Sequence, residues 1–453
     1  MKMLIKLIIL LISVPVFAQK FEVDTLIFNG SIDSRINIVV LGDGYLESEL
    51  DSFDIQSRRF IDYFFEEEPF NNYRNYFNVF TIKTPSNVSG AAMDPTKLID
   101  NYYGSTFNSG GIDRLLTPTK YARITGALSS NFPQYDQVIM LVNSTKYGGS
   151  GGWVATSSVI QGAGEIVLHE VGHSIAGLKD EYYAGDQYAR EGFNMTKETD
   201  PVMVKWKNWY GDFGVGIYQH CCGGNSAEWY RPHENCLMRS LGRAFCPVCL
   251  QTVIARIHKL TSPLESFTPT SETVVPDSFP VTFNIQLVKP LENSLKIEWV
   301  LNSGQINLNS ESIDIEKNQL AEGSNSLIVY IRDTTQNIRI DNYDTIDVQS
   351  VRWTINNIPS GVKDISGNYS NMKLFLYPNP ASESIHLRFA ELPNPDMSVS
   401  LVNISGQTVK IIKAGEIQLT NFTIDLSDLR KGAYILNIME NGYPVVSRKV
   451  VRE

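Results

Sequence analysis

The sequence predicts a mixed α/β domain followed by two all-β modules, and three observations carry that reading. Up to about residue 260, short apolar runs alternate with a stretch of helical periodicity. Beyond Ser262 that periodicity gives way to period-2 alternation. From Leu374 a second alternating region begins, entered through a Pro378-Asn379-Pro380 turn. The composition, 43% apolar and 19% charged, suits packed domains, and 453 residues suffice for about two to four of them.

Residues 1–18 read as a signal peptide. Lys2 and Lys6 flank the start of an apolar stretch from Leu7 to Phe17. Val16 and Ala18 occupy the −3 and −1 positions of a small-residue cleavage site before Gln19. The stretch is too short to span a bilayer comfortably, and no other segment approaches the ~20 apolar residues a spanning helix needs. The mature chain is therefore expected to be exported without a transmembrane segment. A formal net charge of −10 argues against a nucleic-acid partner or an anionic membrane surface.

The first domain is expected over residues 19–261. Ile36 to Leu41 reads as a buried strand, stopped by Gly42-Asp43-Gly44, where Asp43 is read as shaping the turn rather than binding an ion. Leu46, Leu50, Phe53, Phe60 and Phe64 recur at helical spacing and predict an amphipathic helix over 46–65. Phe77 to Ile82 and Gln137 to Asn143 are further strands. The second leads into Gly148-Gly149-Ser150-Gly151-Gly152, a glycine-rich loop before another helix.

That helix, Glu165 to Ala176, contains His169-Glu170-Val171-Gly172-His173. Two histidines four apart project from one helical face, close enough to hold a single metal ion, and the adjacent glutamate can act on a water held there. The apolar positions Ile166, Val167, Val171 and Ile175 suit a buried helix. His169 and His173 are thus the expected zinc ligands and Glu170 the general base, passing a proton from the attacking water to the leaving amine.

The third ligand has three candidates. Asp180 lies seven residues past His173, beyond Gly177, whose tolerance of the left-handed conformation lets the chain turn back beneath the metal. Glu181 is the neighbouring option. Glu191, further along the chain, ranks third because a loose-looking Asn194-Met195-Thr196-Lys197 lies beside it. The spacing resembles the metzincin pattern HExxHxxGxxH, with one extra residue before the glycine and aspartate in place of the last histidine. Met238, well downstream of His173, is placed as the methionine of a metzincin-like turn under the metal. Tyr182, Tyr183, His233 and Arg239 are candidate donors to a developing oxyanion, with none preferred.

Four separated segments carry a wider resemblance. They are Gly42-Asp43-Gly44-Tyr45; Tyr147 to Gly151; His169 to Tyr182; and Cys236-Leu237-Met238-Arg239 with Phe245-Cys246-Pro247-Val248-Cys249. In this order, over roughly residues 30–260, they resemble the M64 peptidase family, known as IgA peptidases after its namesake. The resemblance implies a secreted zinc endopeptidase acting on a protein or peptide substrate. It does not carry the immunoglobulin substrate over, because specificity lives in loops.

The five cysteines, Cys221, Cys222, Cys236, Cys246 and Cys249, all lie in one short stretch of the chain. In an exported chain disulfides are the preferred expectation, at most two with one thiol over. The rival is a second, structural zinc built from Cys236, Cys246, Cys249 and a nearby cysteine or histidine, with His220 and His233 at hand.

Val281, Phe283, Ile285 and Leu287, then Ile297, Trp299 and Leu301, then Leu327, Val329 and Ile331 alternate with mostly polar residues. They predict a β-sandwich over 262–359, to which no chemistry is assigned. A linker is expected at 360–371. The last module, 372–453, opens Tyr377-Pro378-Asn379-Pro380-Ala381 and closes with Leu429, Gly432, Tyr434 and Ile438. It resembles the C-terminal sorting domain of the type IX secretion system. That implies partnership with the type IX machinery, passage through the periplasm of a Gram-negative bacterium, and a secreted or cell-surface location.

The reading is an exported zinc metalloendopeptidase with a metzincin-like α/β domain, a β-sandwich and a secretion tail. One alternative is a surface binding or adhesion protein with a non-catalytic zinc-protease scaffold. Against it stands the intact Glu170, which a retired protease has no chemical need to keep. A second is a zinc hydrolase of non-peptide amides.

Overall fold

A computed structural model of the chain describes residues 20–343, 347–357, 374–389, 397–413, 421–440 and 443–453. The expected signal peptide at 1–18 and the linker at 360–371 lie outside the described residues. The chain divides into two compact units, Met1–Asn356 and Asn357–Glu453. The first unit holds both the α/β segment and the β-sandwich.

The α/β segment is built on a six-stranded sheet in the order β1-β3-β2-β4-β6-β5. Its strands are β1 (Glu22–Ile27), β2 (Ile36–Asp43), β3 (Phe77–Lys83), β4 (Gln137–Val142), β5 (Gly149–Ser150) and β6 (Val154–Ser158). β2 pairs in parallel with both β3 and β4, and β4 with β6. Every residue of β2 is buried, as expected of a parallel strand covered on both faces. β1 and β5 run antiparallel at the two edges.

Alternation along β2 divides the interior. Ile36, Ile38 and Val40 pack with α1 (Leu50–Phe64), α3 (Ala163–Ala176) and α4 (Pro247–Leu260), whereas Val39 and Leu41 pack with α2 (Tyr121–Asn131). The sheet is therefore the middle of three layers, with α3 on the more thickly covered face. α1 buries Phe53, Ser57, Phe60, Ile61 and Phe64, the stripe its spacing predicts, although its first turn is a short 3-10 segment at Glu47–Glu49. Two helices escape the sequence reading. α2 is short and offers only Ile124, Ala127 and Leu128 to the core, and α4 begins inside the cysteine cluster with Cys246 as N-cap and Pro247 in its first turn.

A small hairpin of β7 (Tyr218–Gln219) and β8 (Tyr230–Arg231) follows α3. The sandwich then pairs a five-stranded sheet with a three-stranded one. The larger contains β10 (Thr273–Val274), β12 (Leu295–Leu301), β13 (Gly304–Leu308), β15 (Gly323–Asp333) and β16 (Gln349–Asn357). The smaller contains β9 (Leu264–Thr268), β11 (Val281–Leu287) and β14 (Ser312–Ile315). Phe283, Ile285, Trp299, Val329 and Trp353 form its core, so the period-2 pattern faces inward as expected.

The sandwich is bonded to the α/β layer rather than merely tethered. Tyr76 donates to the Val288 carbonyl at 2.7 Å, and the Leu291 amide donates to the Asn72 carbonyl at 2.7 Å. Buried His258 of α4 ion-pairs with Asp333 at 3.2 Å and Asp347 at 2.9 Å.

In the second unit, β17 (Leu374–Tyr377), β18 (Ser384–Phe389) and β21 (Asn421–Asp425) form one sheet. β19 (Met397–Asn403), β20 (Thr408–Ile412), β22 (Gly432–Glu440) and β23 (Tyr443–Arg452) form the other. The Asn379 side chain bridges the Lys449 carbonyl and the Val451 amide at 2.7 and 2.8 Å, which ties the Pro-Asn-Pro turn to the last strand. Among the described residues no helix is long and apolar enough to cross a membrane.

Candidate metal centre

Helix α3 ends at Gly177, which adopts φ 67° and returns its amide to the His173 carbonyl at 3.0 Å. This left-handed cap reverses the chain and brings residues 178–181 back beside the helix. Asp180 Oδ1 then stands 3.0 Å from His169 Nε2 and 3.2 Å from His173 Nε2. The opposite ring nitrogens are held from behind, His169 Nδ1 by the Leu237 carbonyl at 3.0 Å and His173 Nδ1 by the Leu178 carbonyl at 2.7 Å. A carbonyl only accepts, so each Nδ1 carries the proton and each Nε2 presents a lone pair.

Two lone pairs and a carboxylate oxygen in such close approach repel one another unless a cation lies among them. The donor set, two imidazoles and one carboxylate, fits zinc. Without a metal the balance falls to a proton. Burial lowers the pKa of His169, but the hydrogen bond to Asp180 and the charges of Glu170 and Asp180 override it and raise it to about 9. Burial likewise opposes ionisation of Asp180, yet hydrogen bonds from both histidines hold its carboxyl well below the usual range.

Glu170 offers a carboxylate oxygen within 4.8 Å of a ring nitrogen of each histidine. Burial raises its pKa against the pull of the two histidines. Directly over it runs the glycine-rich edge. A Cβ on Gly151 would fall 3.0 Å from Glu170 Oε2 and 2.8 Å from His173 Cδ2, and one on Gly149 3.4 Å from Glu170 Oε1. Only glycine lets the strand lie this close. The site opens into a cleft of about 980 Å³, walled by Arg114, Tyr182, Tyr183 and Arg239 as well as the histidines.

Met238 is fully buried in a turn closed by the Arg239 amide on the Cys236 carbonyl at 2.9 Å. It packs beneath α3 at Gly172, where a Cβ would meet its sulfur at 2.9 Å. Its carbonyl accepts the Glu181 amide at 2.8 Å, linking this turn to the Asp180 loop.

The other carboxylate candidates lie elsewhere. Glu181 is fully buried and points away from the histidines, toward Asn194 at 2.9 Å and Cys249 at 3.2 Å. The Glu191 side chain pairs with Lys205. Asn194 and Met195, read as loose surface, are completely buried. Asn194 clamps the ligand loop by accepting from the Lys179 amide at 2.8 Å and donating to its carbonyl at 2.9 Å.

Of the candidate oxyanion donors, His233 contacts the Phe213 carbonyl at 3.1 Å and does not line the cleft. Tyr182 lies over the site, its ring 6.0 Å from that of His169. Arg114, which carried no signal in the sequence, sits over the Tyr182 ring at 5.3 Å. It reaches the cleft from a long loop preceding α2, a placement that no local pattern announces. Asp43 accepts backbone amides of Tyr103 and Ser105, each at 2.8 Å, and so organises the loop after β3.

The expected disulfides are not what the structure contains. All five cysteines are free, and Cys236 and Cys249 sulfurs stand 3.7 Å apart, well beyond the ~2.05 Å of a disulfide bond. Three thiols converge on Glu181 rather than pairing.

Residues 26–218 match the family model of IgA Peptidase M64. Residues 375–453 match the secretion system C-terminal sorting domain. The M64 match covers the sheet from the end of β1 onward, α3 and the Asp180 loop, and stops before Met238 and the three clustered cysteines. A peptidase-family match beside a type IX sorting-domain match supports a secreted or cell-surface peptidase. No curated protein matches the chain. Among solved structures it is similar to CopC from Methylosinus trichosporium OB3b, at 19% identity over 17% of this chain and 89% of that one, TM-score 0.13. It is also similar to the fibronectin(III)-like modules of CbhA from Clostridium thermocellum, at 8% identity over 41% and 93%, TM-score 0.16. A third is SGBP-B of Bacteroides ovatus, at 10% identity over 42% of this chain and 45% of that one, TM-score 0.14. At such TM-scores these similarities carry no argument about the M64 region.

Proposed function

We propose that the chain is a secreted zinc metalloendopeptidase in which His169, His173 and Asp180 hold the metal and Glu170 is the general base. The observation that carries this reading is the convergence of three electron-pair donors at 3.0 and 3.2 Å on a cleft floor, with a carboxylate beside them. When bound, zinc supplies Lewis acidity toward a carbonyl oxygen and a water molecule.

The protein's own groups do the rest. The Leu237 and Leu178 carbonyls hold both imidazoles in one tautomer and orientation, so that neither ring has to reorganise on binding. Glu170, with its pKa raised by burial, takes a proton from the attacking water and delivers it to the leaving amine. β5 borders the cleft, and its outer edge is held by the 114–116 segment, with the Gly149 amide on the Arg114 carbonyl at 3.2 Å and the Leu116 amide on the Gly149 carbonyl at 3.3 Å. Tyr182 is the best-placed hydroxyl for a developing oxyanion, with Arg114 against its ring.

The domain has metzincin-like character in two features: the Gly177 step to Asp180 and the Met238 turn beneath α3. Residues 19–261 are proposed as the catalytic domain, 262–359 as a β-sandwich bound to it, and 372–453 as the sorting domain.

The test compares wild type with Glu170→Gln on an unstructured protein substrate, each protein first assayed for bound zinc. The reading expects zinc in both, cleavage by wild type abolished by chelation and restored by zinc, and a loss of roughly 10²–10⁴-fold in the variant. Equal cleavage by both zinc-loaded proteins would overturn it.

A further inference from the structure

We propose that Glu181, Cys236, Cys246 and Cys249 form a second, structural metal site that takes a zinc ion. One ligand atom from each lies within 4.8 Å of the others. They come from three separate segments: the loop after α3, the turn before Met238, and the N-terminus of α4. All four residues are buried, with exposures of 0%, 0%, 3% and 0%.

The spacing is that of a coordination shell. A tetrahedral site with metal–sulfur bonds of about 2.3 Å and metal–oxygen bonds near 2.0 Å has sulfur–sulfur edges of about 3.8 Å and sulfur–oxygen edges of about 3.5 Å. Cys236 and Cys249 sulfurs are 3.7 Å apart, and Cys249 Sγ is 3.2 Å from Glu181 Oε1. The Cys246 amide points at Cys236 Sγ at 3.4 Å, as a donor would toward a thiolate. Glu181 Oε2 is buried with no hydrogen-bond partner among the described residues, an omission costly for a carboxylate unless a cation supplies what is missing.

Pairing alone does not resolve this cluster. Three thiols can make one disulfide, which leaves the third thiol buried beside an unpaired carboxylate. A divalent cation satisfies all four donors together, and the soft sulfur set selects zinc over calcium or magnesium.

The site sits one residue from the cleft on two sides. Glu181 follows Asp180, and Cys236 precedes Leu237, whose carbonyl orients His169. A metal there pins both segments to α4 and so holds the groups that shape the His169–His173 centre. The claim does not depend on the proposed reaction, because the two sites can be emptied separately.

The experiment is metal analysis and cobalt(II) substitution of the purified full chain, beside His173→Ala and Cys249→Ser. Wild type is expected to bind two metal ions and to show sulfur-to-cobalt charge-transfer absorption. His173→Ala should lose one ion and keep that absorption; Cys249→Ser should lose the absorption and one ion. Should Cys249→Ser fail to fold, thiol titration of denatured, unreduced wild type decides instead. Three reactive thiols mapped to Cys236, Cys246 and Cys249 support the site. A disulfide among them, or cobalt binding without sulfur absorption, overturns it.

Discussion

Asp180 Oδ1 and His169 Nε2 stand 3.0 Å apart, and with His169 Nδ1–H committed to the Leu237 carbonyl, it takes a second proton or a metal ion on Nε2 to relieve the contact. In the proposed centre this pair supplies two of the three ligand atoms, and changing its charge is the direct way to test it. Asp180→Asn keeps the shape and removes the negative charge. Zinc affinity at the histidine site is expected to fall by more than the roughly 10–100-fold that follows loss of a hydrogen-bond partner behind a ligand. Isothermal titration with zinc into metal-free protein measures it; unchanged affinity would move the third ligand elsewhere.

Gly151 has no room for a side chain. Its Cβ would press on His173 Cδ2 at 2.8 Å and Glu170 Oε2 at 3.0 Å. Gly151→Ala should therefore displace the base or the ligand and lower kcat/KM by roughly tenfold or more, as small misplacements in a reacting centre do. Thermal unfolding of the same variant should change little, since Gly151 lies just past the short edge strand β5. A fully active Gly151→Ala protein would mean the strand does not lie over the reacting groups.

Asn194 is the clamp behind the ligand loop, with hydrogen bonds to both backbone groups of Lys179 and one to Glu181. Replacing it by alanine leaves those buried groups unpaired, at a cost of about 1–3 kcal/mol. Zinc affinity should drop with it, by roughly 10–100-fold, because Asp180 loses its support. Denaturant unfolding and zinc titration on one preparation check both effects; a stable Asn194→Ala protein with normal affinity would count against the clamp.

His258 links α4 to the sandwich and makes stability depend on pH. Burial lowers its pKa, but hydrogen bonds to Asp333 and Asp347 outweigh this and raise it from 6.5 to about 9. A histidine holding its proton more tightly when folded adds stability that is complete below about pH 6.5 and is lost as pH rises through about 9. The shift corresponds to about 3 kcal/mol. Unfolding free energy should fall by that order between about pH 6.5 and 9.5, and His258→Gln should flatten the slope in this window. An equal slope in the variant would assign the pH dependence to other groups.

The proposed chemistry is legible in the sequence because it rests on local rules. His169 and His173 share a face through the 3.6-residue turn, Gly177 ends the helix because glycine tolerates φ 67°, and alternation from Val281 to Ile331 marks strands with one buried face. The tyrosine-to-alanine turn at 377–381 was legible for the same reason. Cys236, Cys246 and Cys249 were visible as a group, but whether they pair or converge is a question of distance between segments.

What the sequence by itself determined is the strands at Ile36, Phe77 and Gln137, the helix that carries His169 and His173 on one face, and the alternation of the β modules, since each follows from spacing along one chain segment. Only the tertiary structure separates Asp180 from Glu181 as the proposed third ligand. They are neighbours in sequence with the same charge, and they part because one faces the histidines and the other the cysteine cluster. Arg114 and Asn194 were likewise invisible, because each reaches the candidate site across a fold that brings distant loops together. The physical reason is the same throughout: periodicity encodes which way a side chain points from its own element, and packing decides what it meets there.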